Sequence, residues 1–175
     1  MSASQAPSPL NPLVSIVMGS DSDLPKIEGC LEVLREFGVP CEVNVISAHR
    51  TPEDAHDFAK GVEARGIRVI IAAAGGAAHL AGVVASLTVL PVIGVPIASS
   101  ALQGVDSLYS TVQMPPGVPV ATVGIDASRN AAILAVEILG VADPHLRTAL
   151  KAYRERLAAG IREKSRQLKD KLNSA

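Results

Sequence analysis

Two cationic side chains, His49 and Arg50, stand side by side in the segment ISAHRTP at residues 46–52. A histidine exchanges a proton near neutral pH, and an arginine donates paired hydrogen bonds to a phosphate. The pair therefore offers a proton carrier beside an anion anchor. A second stretch, GSDSD at 19–23, follows Gly19 with the hydroxyls of Ser20 and Ser22 and the carboxyl of Asp23. Its glycine lets a ligand approach backbone, and the helix behind it presents free N–H groups. Asp23 suits the two hydroxyls of a ribose; the alternative is that Ser22 or Asp23 only caps the helix. The glycine spacing is neither a Walker loop nor a dinucleotide fingerprint.

A third stretch, AGGAAHL at 74–80, brings Gly75-Gly76, against which a flat ring could lie, and His79, which either bonds that ligand or caps locally. His56 and His145 fall on predicted helices away from strand ends and read as surface residues. The 4 histidines form no HxxxH or His–carboxylate cluster, so nothing argues for a metal site. No serine or cysteine has an evident base partner, which disfavours acyl transfer. Taken alone, the residues describe a site for a phosphorylated, ribose-bearing small molecule with one proton-transfer histidine. They do not identify the reaction.

Each stretch closes an apolar run, and those runs supply the frame. Strands are expected at 14–18, 41–46, 69–74, 92–97 and 120–125. Helices are expected between them: one after Pro25 closed by Gly38, one capped by Thr51 with Pro52 in its first turn, one over 77–87, a short one at SLYSTVQM, and one capped by Ser128 and ending near Gly140. Alternation of this kind predicts an α/β fold: a three-layer, doubly wound parallel sheet, flavodoxin-like, with its site at the carboxyl ends of the strands. The three stretches would converge on one crevice there.

Composition agrees with that class. At 48% hydrophobic but 2% aromatic, the core must be built from Val, Ile, Leu and Ala, the palette of a buried parallel sheet. A net charge of -1 without a basic run, and too few aromatics for base stacking, make nucleic acid and membrane surfaces unsuitable partners. Cys30 and Cys41 lack metal-ligand spacing and read as reduced thiols of a cytoplasmic protein. Residues 1–12, Pro-rich and without a signal-peptide pattern, read as a disordered arm ahead of a catalytic domain over 13–142. From 143 to 175, Leu146, Leu150, Tyr153, Leu157, Ile161, Leu168 and Leu172 form one helical stripe. About thirty helical residues span roughly 45 Å, too long for a domain this size. Such a helix either frays after Ala159 or packs on another subunit, and the continuous stripe favours packing.

Taken jointly, MGSDSD at 18–23, SAHRTP at 47–52, AGGAAHL at 74–80 and GVDSLYSTVQMPPGVPVATV at 104–123 resemble the phosphoribosylaminoimidazole carboxylase catalytic subunits, class I, also called N5-carboxyaminoimidazole ribonucleotide mutases. The resemblance implies a reaction without cofactor or metal, in which a carboxyl group moves from the exocyclic nitrogen of an aminoimidazole ribonucleotide to the neighbouring ring carbon. It implies a homo-octamer. His49 falls on the family's catalytic histidine; Ser20, Asp23 and Arg50 fall on substrate-contact positions; Ser22, Ser47, Ala48, Gly76, His79 and Leu80 are further binding candidates. Two departures bear on substrate positioning. Ala81 stands where the family usually has proline, which removes a restriction on φ, and Ala98-Ser99-Ser100 lies at a variable place. Two other readings share the scaffold: a direct carboxylase using aminoimidazole ribonucleotide and CO2, and a non-catalytic flavodoxin-like nucleotide-binding module. A relative that carboxylates a pyridine nucleotide fits less well, given the short chain and intact SAHRTP.

Overall fold

A computed structural model describes residues 11–99 and 101–173; the arm expected at the N-terminus lies almost entirely outside them. Five parallel strands form one sheet: β1 (Val14–Met18), β2 (Cys41–Val45), β3 (Val69–Gly75), β4 (Val92–Ile97) and β5 (Ala121–Thr122). Their order across the sheet is β2-β1-β3-β4-β5. The helices are α1 (Leu24–Glu36), α2 (Pro52–Gly61), α3 (Leu80–Leu87), α4 (Val105–Val112), α5 (Ser128–Gly140) and α6 (Pro144–Asn173).

Strand alternation divides the core in two. Ile16 and Met18 of β1 and Ile71 and Ala73 of β3 face α1 and α5, where Ile27, Leu34, Ala131 and Ala135 are buried. Val17, Ile70 and Ala72 point the other way, to Ala59 of α2 and Leu80 and Val84 of α3. Both faces of the sheet are thus covered, as an all-parallel sheet requires. The winding reverses between β1 and β3, so their carboxyl ends open a crevice.

Several boundaries depart from expectation for local reasons. The last strand is two residues rather than the expected six. Its ladder partner β4 carries Pro96, whose carbonyl faces this edge and accepts the Asp126 N–H at 2.9 Å. A residue's N–H and C=O point the same way in a strand, so proline's missing N–H interrupts the ladder on this side. Helix α3 starts at Leu80, not at 77, because Gly76 (φ 61°) and Ala78 (φ 41°) first turn the chain out of β3. Ala81 is buried in its first turn. Neither Thr51 nor Ser128 caps through its side chain: Ala127 holds the cap position of α5, and Ser128 is buried just inside it.

At the far end of β2, Glu42 gathers a polar cluster. It accepts hydrogen bonds from Ser15 Oγ at 2.7 Å, Asn44 Nδ2 at 3.1 Å and, on both oxygens, Arg65 NH1 at 2.8 Å. Burial alone would raise the Glu42 carboxyl, but the bonds from Ser15 and Arg65, the Arg65 charge and Asn44 outweigh it and hold it below its ordinary value. A depressed carboxyl stabilises the fold above its unfolded value, and that contribution disappears as pH falls through the folded one. Glu42→Gln is therefore expected to cost about 1 kcal/mol at pH 7, discounted for the exposed arginine. The melting temperature of wild type and variant should converge as the pH is taken below the carboxylate range; an unchanged gap would remove Glu42 from that role.

Helix α6 stays helical through Asn173. Leu150 is buried against the α1–α5 layer, and Tyr153 meets Phe37 with ring centroids 5.5 Å apart. Arg154 pairs with Glu137 and Arg156 with Glu36, each at 2.5 Å. Beyond them the stripe stands clear of the chain, with Leu157, Ile161, Leu168 and Leu172 all more than half exposed.

Candidate active site

The carboxyl ends of β1, β2, β3 and β4 enclose a crevice of about 330 Å³. Of the residues singled out from the sequence, Ser20, Ser22, Asp23, Ser47, Ala48, His49, Arg50, His79 and Leu80 line it. Gly76 does not; its neighbour Gly75 does, with Gly19, Ala74, Ala78 and Ser99. Ser99 is not among the binding candidates: it follows β4 in a segment without periodicity and stands out only as part of a stretch variable in the family the chain resembles. Only the sheet order brings it beside Gly75.

The GSDSD turn is organised by Ser20. Its Oγ accepts from Ser22 Oγ at 2.8 Å and from the Ser22 N–H at 3.3 Å, closing a 3-10 turn over Asp21–Asp23. Ser20 thus caps this 3-10 turn, while Asp23 holds the cap position of α1, as the alternative reading had it, though without a side-chain hydrogen bond. Asp23 is buried. That burial raises its carboxyl above the ordinary value; a backbone bond from Ser20 opposes the rise, and the charges of Asp126 and Asp21 add to it.

The SAHRT turn is closed by Ser47 and Thr51. Thr51 Oγ1 accepts from the Ser47 N–H and donates to the Ser47 carbonyl, both at 3.1 Å. This engagement keeps the hydroxyl from the first-turn amides of α2, which carry no side-chain cap. Arg50 then bridges two strand ends: its NH2 donates to the Gly19 carbonyl at 2.7 Å and its Nε to Ser47 Oγ at 3.3 Å.

His49 and His79 meet across the crevice. His49 Nε2 lies 2.8 Å from His79 Nδ1, with the rings edge to face and their centroids 4.9 Å apart. Such a bond needs an N–H on one ring and a lone pair on the other, so the two rings share one proton between them. His56 and His145 are exposed on α2 and α6. Among the described residues no group of three or more His, Cys, Asp or Glu side chains is placed to hold a metal ion.

Chemically, the crevice is divided. Ser20, Ser22, Asp23, Ser47 and Arg50 offer hydrogen bonds on the β1–β2 side, while Ala74, Gly75, Ala78 and Leu80 make an apolar wall at β3. Fold and crevice together define a doubly wound α/β protein with a crevice, polar on one side and apolar on the other, at its topological switch point. The AIR carboxylase family profile matches residues 13–160, and the chain belongs to that family. It is 58% identical over 159 residues to the N5-carboxyaminoimidazole ribonucleotide mutase of Pyrococcus horikoshii, covering 91% of this chain and 90% of that one. It is 57% identical over 144 residues to the phosphoribosylaminoimidazole carboxylase of Saccharomyces cerevisiae, covering 82% of this chain and 25% of that larger protein. The solved structure of Treponema denticola PurE superposes with a TM-score of 0.82 at 34% identity, over 90% of this chain and 98% of that one. No helix among the described residues is long and apolar enough to cross a membrane.

Proposed function

We propose that this chain converts N5-carboxyaminoimidazole ribonucleotide to 4-carboxyaminoimidazole ribonucleotide, a step of de novo purine (IMP) biosynthesis in the cytoplasm. The observation that carries the reading is the adjacency, in one crevice, of the His49 ring, the Arg50 guanidinium and the apolar β3 wall. Arg50 and the serines hold the phosphate, and Asp23 accepts from the ribose hydroxyls. The N–CO2 bond of the carbamate breaks, and His49 gives the leaving nitrogen a proton. The ring carbon, enamine-like once the carbamate is gone, attacks the CO2 held against Ala74, Gly75 and Ala78. His49 then takes the proton from the tetrahedral carbon. The proton given to nitrogen returns from carbon, so the enzyme ends as it began and no cofactor is consumed. His79, on the far side of the shared proton, orients the His49 ring.

The decisive experiment offers purified protein either the carbamate substrate or aminoimidazole ribonucleotide with bicarbonate at low CO2. The carbamate is expected to be consumed. Consumption of aminoimidazole ribonucleotide alone would make the protein a direct carboxylase, and binding of nucleotide without turnover of either would leave only a binding module.

His49, Arg50 and His79 are exposed in the single chain, whereas trapping CO2 requires a closed site. That need and the exposed stripe of α6 both support assembly into a homo-octamer. Truncation after Gly160 removes Ile161, Leu168 and Leu172 and is expected to lower the mass seen by light scattering. An unchanged mass would exclude α6 from the assembly.

A further inference from the structure

One wall of the crevice is held by a residue that no motif marks. Ala98 and Ser99 leave the end of β4, and Ser99 lies so close to Gly75 that a Cβ there would collide with its hydroxyl. The β4–β5 ladder has already ended at Gly94–Thr122. The Ala98 N–H is instead accepted by Asp126 Oδ1 at 3.0 Å. Asp126 has left-handed backbone, φ 55°, fixed by its own N–H donating to the Pro96 carbonyl. Its other oxygen meets Lys26 Nζ at 2.5 Å. Lys26 lies in the first turn of α1, three residues beyond Asp23. One carboxylate thus ties the end of β4 to the helix that follows β1, on either side of β3. The lysine is 45% exposed, so the pair contributes little to stability. Its consequence is geometric.

We infer that Asp126, held by Lys26, is a positioning residue for the substrate crevice: it fixes the Ala98–Ser99 wall against the Ser20–Asp23 turn and acts on the substrate through Ser99. The inference rests on the reaction proposed above, which supplies its assay. Two substitutions separate the parts. Asp126→Gly adopts the left-handed backbone without strain and removes the carboxylate. Asp126→Asn also tolerates that backbone and keeps an acceptor for Ala98, but loses the charge that holds Lys26.

With the carbamate substrate, KM is expected to rise about tenfold in Asp126→Gly and about threefold in Asp126→Asn, with kcat within about twofold of wild type in both. Lys26→Met removes the same charge from the other side and is expected to match Asp126→Asn, which keeps the test open if the glycine variant melts early. In a Ser99→Ala background, the effect of Asp126→Gly should fall below about threefold, because the two act as one unit. Equal KM values for the two Asp126 variants, a glycine variant indistinguishable from wild type, or a full tenfold effect persisting without the Ser99 hydroxyl overturns the inference. Failure of the wild-type protein to convert the carbamate would instead sink the reaction, so the two failures are told apart.

Discussion

Replacing His49 by asparagine is expected to leave the substrate bound and to stop its conversion. Asparagine keeps a polar amide in the crevice but is shorter than the ring, so it stops short of His79 Nδ1, which His49 Nε2 meets at 2.8 Å. It cannot exchange a proton near neutral pH. A positioned acid–base group contributes about 10²- to 10⁴-fold, and in the proposed route one side chain serves both the leaving nitrogen and the ring carbon, so kcat should fall by at least about 10³-fold. Affinity should stay within about tenfold, or 1.4 kcal/mol, because the proposed phosphate and ribose contacts belong to other residues. Steady-state kinetics with calorimetric binding separate the two quantities. A variant retaining more than about a tenth of kcat would pass the proton's route to His79 or to solvent.

Much of this site was legible because its residues terminate strands. Runs such as VIIAAAG declare a buried strand by composition alone, and in a doubly wound sheet every strand end on one edge is a neighbour of the crevice. That logic alone places the strand ends bearing Ser20, Asp23, His49, Arg50 and His79 around one crevice. Properties set by partners distant in sequence were not legible. The His49–His79 bond joins residues 30 apart, and no local pattern says which nitrogen faces which. Thr51 sits where a capping residue belongs, yet its hydroxyl engages Ser47 instead. Val120–Ile125 has the composition of a full strand, and its ladder is cut short by a proline on the neighbouring strand. Ser99 meets the crevice through the end of β4, and Asp126 through that end and through Lys26 of α1, partners too distant in sequence to form a local motif.

Arg50→Ala carries the second large effect, and it falls on binding. A guanidinium has five N–H donors in a fixed fork. Two bonds hold it in place here, to the Gly19 carbonyl and to Ser47 Oγ, so its direction is set before a ligand arrives and donors remain for a phosphate. Preorganisation of this kind lowers the entropic cost of binding. Losing a charge-assisted, paired contact is expected to weaken substrate binding about 10²-fold, or about 2.7 kcal/mol, the low end of the range because the site is exposed in the single chain. Arg50→Lys keeps the charge without the fork and should recover about half of that free energy. Because Arg50 also joins the ends of β1 and β2, a loss of affinity could come from the loops alone. Inorganic phosphate separates the causes: it should compete with substrate in wild type, less so as salt rises, and should not compete in Arg50→Ala. Equal inhibition of both proteins by phosphate would mean that Arg50 braces the crevice and the anion is held elsewhere.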